Sequence, residues 1–137
     1  MPRQTEEETI MQKILIDACG WVAVIDSGMN FDSEISRLLG RPEVLLLPKV
    51  LEELERLHNE RPRSKSLLLD MLIAKSSPIE PPIEAGEHTD DQLVHLAHSH
   101  AMVVLTVDGQ LKRRLFERGV PVVEISKKKR LSLLEGL

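Results

Sequence analysis

Asp17, Glu53, Asp90 and Asp108 are the side chains whose types and positions could do chemistry together. Asp17 closes the apolar run KILID and Asp108 follows the apolar run MVVLTV. In an open parallel sheet the site lies beyond the carboxyl ends of the strands, so both acids fall on one edge. Asp90 opens a helix and shares its stripe with Val94, Ala97 and Ala101, which turns it inward. Glu53 sits between Val50 and Leu57 on a helix, whereas Glu52 and Glu55 share a face with Arg56 and Asn59. Four converging carboxylates repel one another and resist ionisation unless a cation lies between them. Oxygen-only ligands suit Mg²⁺ or Mn²⁺, ions that activate water for phosphodiester hydrolysis. Each acid alone has a plainer explanation: a helix cap, a turn residue, a surface charge, or a first-turn charge on the helix dipole. Their common edge is what favours chemistry.

The elements that must position these acids are legible as hydrophobic periods. KILIDA (13–18), VLLL (44–47), MVVLTV (102–107) and VPVVEI read as buried strands, the last of them ending the sheet. FDSEISRLLG (31–40), the segment opened by Pro48, SKSLLLDMLIAK (64–75) and DGQLKRRLFERG (108–119) read as helices. SSPIEPPIEAGEH (76–88) reads as a loop with a short extended piece around Ile83. Thr89 and Gln92 have capping-box spacing, which predicts Thr89 as the N-cap and Asp90 as the first helical residue. Apolar strands alternating with helices predict a three-layer α/β/α sandwich around a central parallel sheet. The expected division is an N-terminal flexible segment (1–12), one domain (13–130) and a C-terminal tail (131–137), the end of a basic stretch, SKKKRLSLLEGL, with some helical periodicity.

Several function classes are disfavoured. The 137 residues fit one domain, and the lone Cys19 allows neither a disulfide framework nor a cysteine zinc site. A reducing, cytoplasmic compartment is expected. No apolar run approaches the length of a membrane span, and the acidic, polar start is no signal peptide. No glycine-rich phosphate loop or Ser-His-Asp signature is present. The net charge of −4 argues against a general polyanion binder. Basic groups nonetheless cluster at 112–114 and 127–130, as a solvated face or a phosphate-contacting edge. His88, His95, His98 and His100 draw the eye towards zinc. Asp91, His95 and His98 form an outward stripe without enough ligands nearby, so a solvated face is the expectation.

LIDACGWV (15–22), LPKVLEELERL (47–57), HTDDQLVHLA (88–97) and VVLTVDGQLKRRL (103–115) together resemble the PIN-domain family of metal-dependent ribonucleases, most of all its archaeal and eukaryotic-type members, some linked to ribosomal-RNA processing. The resemblance runs from about residue 13 to residue 130. It implies Asp17, Asp90 and Asp108 as ligands of Mg²⁺ or Mn²⁺, with Glu53 holding a second ion or orienting water. Asp91 is a candidate fifth acid behind the ligands, and Thr106 keeps the hydroxyl of the family's T-x-D pattern. The family often has Thr or Ser, then Asn or Ser, after its first Asp. Ala18 and Cys19 stand there instead, so the hydroxyl that would orient that acid is missing. The implied activity is endonucleolytic cleavage of single-stranded or structured RNA, in ribosomal-RNA processing or as a toxin. A scaffold that binds RNA without cutting it is the alternative. Lys112, Arg113, Arg114, Lys127, Lys128, Lys129 and Arg130 are candidates for phosphate contact. Trp21, Phe31 and Phe116 are too few aromatics for a base-stacking platform. A homodimer and an antitoxin or ribosome-assembly partner are implied by analogy.

Overall fold

A computed structural model describes residues 12–60 and 62–135. The expected flexible segment, 1–12, lies outside this range except for Gln12, whose carbonyl accepts from the Glu43 amide at 2.8 Å. β1 (Lys13–Ile16) is followed directly by α1 (Ala18–Ser27) and α2 (Phe31–Leu39). Then come β2 (Glu43–Leu46), α3 (Pro48–His58) and α4 (Arg63–Ala74). The short β3 (Ser77–Pro78) and a 3₁₀ turn (Ile83–Ala85) lead to α5 (Thr89–His100). β4 (Val103–Leu105), α6 (Gly109–Glu117), β5 (Val122–Ile125) and β6 (Leu131–Leu134) complete the chain.

The six strands form one sheet in the order β3-β2-β1-β4-β5-β6. All neighbours are parallel except β5 and β6. Ile14, Leu15, Ile16, Val104 and Leu105 are buried in its middle, as strands covered on both faces require. From β1 the chain first builds outward through β2 to β3, then returns to place β4 on the other side of β1. That reversal opens a crevice at the carboxyl ends of β1 and β4, where Asp17 and Asp108 stand.

Four expectations are corrected. The sheet is mixed, because Leu131–Leu134 is an antiparallel edge strand and not part of a helical basic tail. Glu34 fastens this strand, accepting from the Leu131 amide at 2.9 Å, while Arg37 donates to the Leu131 carbonyl at 2.5 Å. Arg37 and then the Leu131 amide hold the Glu34 carboxyl down to about 2. VPVVEI is therefore not the last strand. The extended piece of the 76–88 loop is at Ser77–Pro78, and Ile83 begins the 3₁₀ turn, 97% exposed. The capping box does not form: His88 is the N-cap without a side-chain bond, and buried Gln92 donates to the Gly86 carbonyl at 2.9 Å. The tertiary need to hold the loop against α5 outweighs the local cap.

WVAVI, apolar and partly β-branched, lies inside α1. Asp17 starts that helix as its N-cap, accepting from the Gly20 amide at 2.8 Å. Gly20 lets α1 approach β4, since a Cβ there would stand 2.6 Å from the Leu105 carbonyl oxygen and 2.9 Å from Asp17 Oδ1. Gly20→Ala should therefore destabilise the chain by about 1–3 kcal/mol through overpacking. Gly109→Ala, with nothing within 4 Å, should not. Urea denaturation of both variants checks this, and equal midpoints would refute the close approach.

Candidate functional site

The buried Asp17 carboxylate is the centre of the crevice. Its Oδ1 accepts from the Gly20 amide. Its Oδ2 accepts from the Thr106 hydroxyl at 2.6 Å and from the Cys19 thiol at 3.1 Å. Thr106 is fully buried, and its oxygen also accepts from the Asp108 amide at 3.1 Å. The hydroxyl missing from the segment after Asp17 is thus replaced in two ways. The end of β4 supplies Thr106, and Cys19 supplies a weaker S–H donor. Burial raises the Asp17 carboxyl above its ordinary range and the nearby Asp108 adds to this, against the lowering effect of the three hydrogen bonds.

Asp108 is the N-cap of α6, where Oδ1 accepts from the Gln110 amide at 2.9 Å and the Leu111 amide at 3.3 Å. Asp90 lies in the first turn of α5. Burial pushes its carboxyl up, and Asp108, Asp17 and Asp91 push in the same direction, while Arg114 opposes them. Asp17, Asp90 and Asp108 therefore share one electrostatic environment, brought together from β1, α5 and the end of β4.

Glu53 reaches the same place from α3. A cleft of about 280 Å³ is lined by Asp17, Cys19, Lys49, Glu53, Thr89 and Asp90 among others. Glu53 differs from the three aspartates in having its own cation, an ion pair with Arg56 one turn along the helix. Asp91, the candidate fifth acid, is tied to Arg114 at 2.7 Å.

The basic residues separate. Arg114 stands beside the acids, near enough to Asp90 to oppose its rise. Lys112 is half-buried and paired with Glu124 at 2.8 Å. Arg113 lines a groove beside Phe116 and Leu134, between α6 and β6. The 127–130 segment is the turn joining β5 to β6. There Arg130 approaches Glu34 at 3.6 Å and the Lys129 ammonium lies beside Gly28, at the far end of α1 from Asp17. Ten helical residues put that end about 15 Å from the cleft. Lys49 is at the cleft wall without having been expected there, its ammonium donating to the Glu87 carbonyl. Its signal was its place one turn before Glu53 on the same stripe. Of the histidines, His95 is half-buried, His98 bonds the Arg118 carbonyl at 3.2 Å and His100 is exposed.

All side chains facing the cleft as acids are hard oxygen donors, the chemistry that Mg²⁺ and Mn²⁺ prefer. Asp90 accepts no hydrogen bond among the described residues, and Asp108 keeps Oδ2 unused by its cap. As placed, no three His, Cys, Asp or Glu side chains among the described residues stand close enough to hold one ion. The donor chemistry fits a divalent cation; the ligand shell is not preformed.

Residues 14–128 match the family of PIN-like domains. Ribonuclease VapC4 of Methanocaldococcus jannaschii is 30% identical over 123 residues, spanning 87% of this chain and 94% of that protein. The solved structure of the PIN domain endonuclease Utp24 superposes with a TM-score of 0.71 at 19% identity, over 91% of this chain and 94% of that one. VapBC2 from Rickettsia felis, solved bound to a DNA fragment from its promoter, gives a TM-score of 0.63 at 11% identity, over 82% of this chain and 98% of that one. These two structural likenesses show the fold. With most of its length matched, this chain belongs to the PIN-like domain family.

Proposed function

We propose that the chain is an endoribonuclease dependent on Mg²⁺ or Mn²⁺, cutting phosphodiester bonds of single-stranded or structured RNA. The observation that carries this is the gathering of Asp17, Asp90 and Asp108 at one crevice: Asp108 helps raise the Asp17 carboxyl, Asp108 and Asp17 help raise that of Asp90, and Asp17 and Asp90 line one open cleft with Glu53. Like charges held together at an energetic cost need a cation to offset it. The name of the ribonuclease relative and of the solved endonuclease support the same reaction. A bound cation would supply an activated water and charge neutralisation at the phosphate. The chain's own residues would do the rest. Asp17, Asp90 and Asp108 would offer ligand oxygens, and Thr106 and Cys19 would fix the orientation of Asp17. Glu53, steadied by Arg56, would orient water or hold a second ion. Two settings fit this activity, ribosomal-RNA processing and a toxin silenced by an antitoxin. A small protein that copurifies with the chain and suppresses cleavage would select the second. Homodimerisation is the expected oligomeric state, readable by light scattering. Among the described residues no helix is long and apolar enough to cross a membrane.

Asp17→Asn, Asp90→Asn and Asp108→Asn should each lower RNA cleavage at least about a hundred-fold, since a Lewis-acid ion is worth several kcal/mol. Cleavage by these variants at the wild-type rate would remove the assignment.

The raised carboxyls make a second expectation. A folded chain whose Asp17 and Asp90 titrate above the unfolded value near 3.8 binds more protons than the unfolded chain within that interval. The metal-free protein should thus lose stability as pH rises through it. At neutral pH, Mn²⁺ should restore stability and raise the melting temperature, because a ligand of the folded state stabilises by mass action. A melting temperature insensitive to Mn²⁺ at millimolar concentration would argue against the cation.

Thr106→Val removes the 2.6 Å donor to Asp17 and should cost about 10–100-fold in Mn²⁺ affinity, read by calorimetry, while Thr106→Ser should keep it. Equal affinities for the two variants would mean that Thr106 does not position Asp17.

A further inference from the structure

Lys49, Glu53 and Arg56 occupy positions i, i+4 and i+7 of α3, one stripe along its surface. The neighbouring stripe, with Val50 and Leu54, is buried, so the charged one runs along the margin of the core and lines the cleft. The 280 Å³ cleft holding Asp17 and Asp90 shares Lys49, Glu53 and Thr89 with an adjoining groove of about 410 Å³ that ends at Arg56. The two make a continuous channel leading away from the acids. Each cation along it is held in place and keeps donors to spare. Lys49 spends one of its three N–H groups on the Glu87 carbonyl, and Arg56 spends part of its five-donor fork on Glu53. Arg56 also offsets Glu53, which together with Glu52 is the acidic part of the groove. Seven residues separate the two cations by about 10 Å along the helix, enough to meet different phosphates of one strand.

We propose that Lys49 and Arg56 form a phosphate-binding rail along α3 that leads the RNA strand into the cleft of Asp17 and Asp90. This rests on the ribonuclease reading above. The rail lies on the α3 wall, and Arg114 stands at the α6 side of the same acids, so the strand enters along one wall and passes the other. It assigns phosphate contact to two residues outside both basic clusters of the sequence.

The test uses the full chain carrying Asp90→Asn, so that bound RNA stays intact. Anisotropy of a fluorescein-labelled single-stranded RNA of about a dozen nucleotides is followed over a KCl series. Lys49→Ala and Arg56→Ala should each reduce the slope of log Kd against log[KCl] by about 0.7, and the double variant by about twice that. Lys49→Arg should keep the slope. Lys13→Ala, at the amino end of β1 and so on the opposite edge of the sheet, should leave it unchanged. Thermal melts confirm that each variant is folded, with Lys49→Gln and Arg56→Gln as replacements for any that is not. Unchanged slopes in the single and double variants overturn the rail, as does absence of RNA binding by the Asp90→Asn chain. Cleavage by the wild type is scored separately. If it is present while the slopes do not move, the rail fails and the nuclease stands. If it is absent while the slopes fall as expected, the nuclease fails and the rail stands.

Discussion

The buried carboxylate of Asp17 sits at the seam where the order of the sheet reverses, and its hydrogen bonds join three parts of the fold. Through Gly20 it starts α1, and through Thr106 it fastens the end of β4 to the end of β1. Thr106 in turn receives the Asp108 amide and so sets where α6 begins. An anion taken out of water must be compensated by hydrogen bonds, and here those bonds also determine the crevice. Gly20 belongs to the same constraint, because any side chain there would force α1 off the Leu105 carbonyl and carry Asp17 with it.

The parts of this arrangement that follow short periods were legible in the sequence. β1, β2, β4 and β5 are apolar but for Lys13, Glu43 and Glu124, and the helices from α2 onward have clear boundaries in Gly40, Pro48, Pro62 and the Asp108-Gly109 step. The acids were found because each stands at the end of such an element. β6 escaped because an edge strand buries one face only. In Leu131–Leu134 just Leu131 is fully buried, and the preceding KKKR run suggests a solvated tail. Its attachment is to Glu34 and Arg37, nearly a hundred residues earlier, and no local pattern encodes that. The capping box failed for a similar reason. Thr89 and Gln92 have the right spacing, but the Gln92 amide is committed to the Gly86 carbonyl of the preceding loop.

Site chemistry shows the same division. The absence of a hydroxyl after Asp17 is visible in the sequence, whereas its replacement by Thr106 joins residues 89 positions apart. The basic clusters are conspicuous as runs, yet Lys112 is committed to Glu124 and the 127–130 turn lies by the far end of α1. Lys49 is a single lysine in an acidic helix and carries no compositional signal. Its spacing from Glu53 gains meaning once the cleft has walls.

The three aspartates do not have equal structural employment, and that difference bears on why they are there. Asp17 and Asp108 cap helices, so the fold alone gives reason for an acid, or an Asn, at both positions. Asp90 caps nothing and accepts no hydrogen bond among the described residues. A first-turn acid does favour the dipole of α5, but Asp91 on the same turn provides that, with Arg114 as its partner. Asp90 is instead surface-exposed, not turned inward as its helical stripe suggests, yet it stands near Asp17 and Asp108, and partial desolvation and those carboxylates push it towards the protonated form. A helix in need of a negative first turn gains nothing from that placement and loses stability by it. Local rules broken without structural return belong to sites where the return is functional. On that ground Asp90 is the acid whose position the architecture of the fold explains least and the chemistry of the cleft explains best.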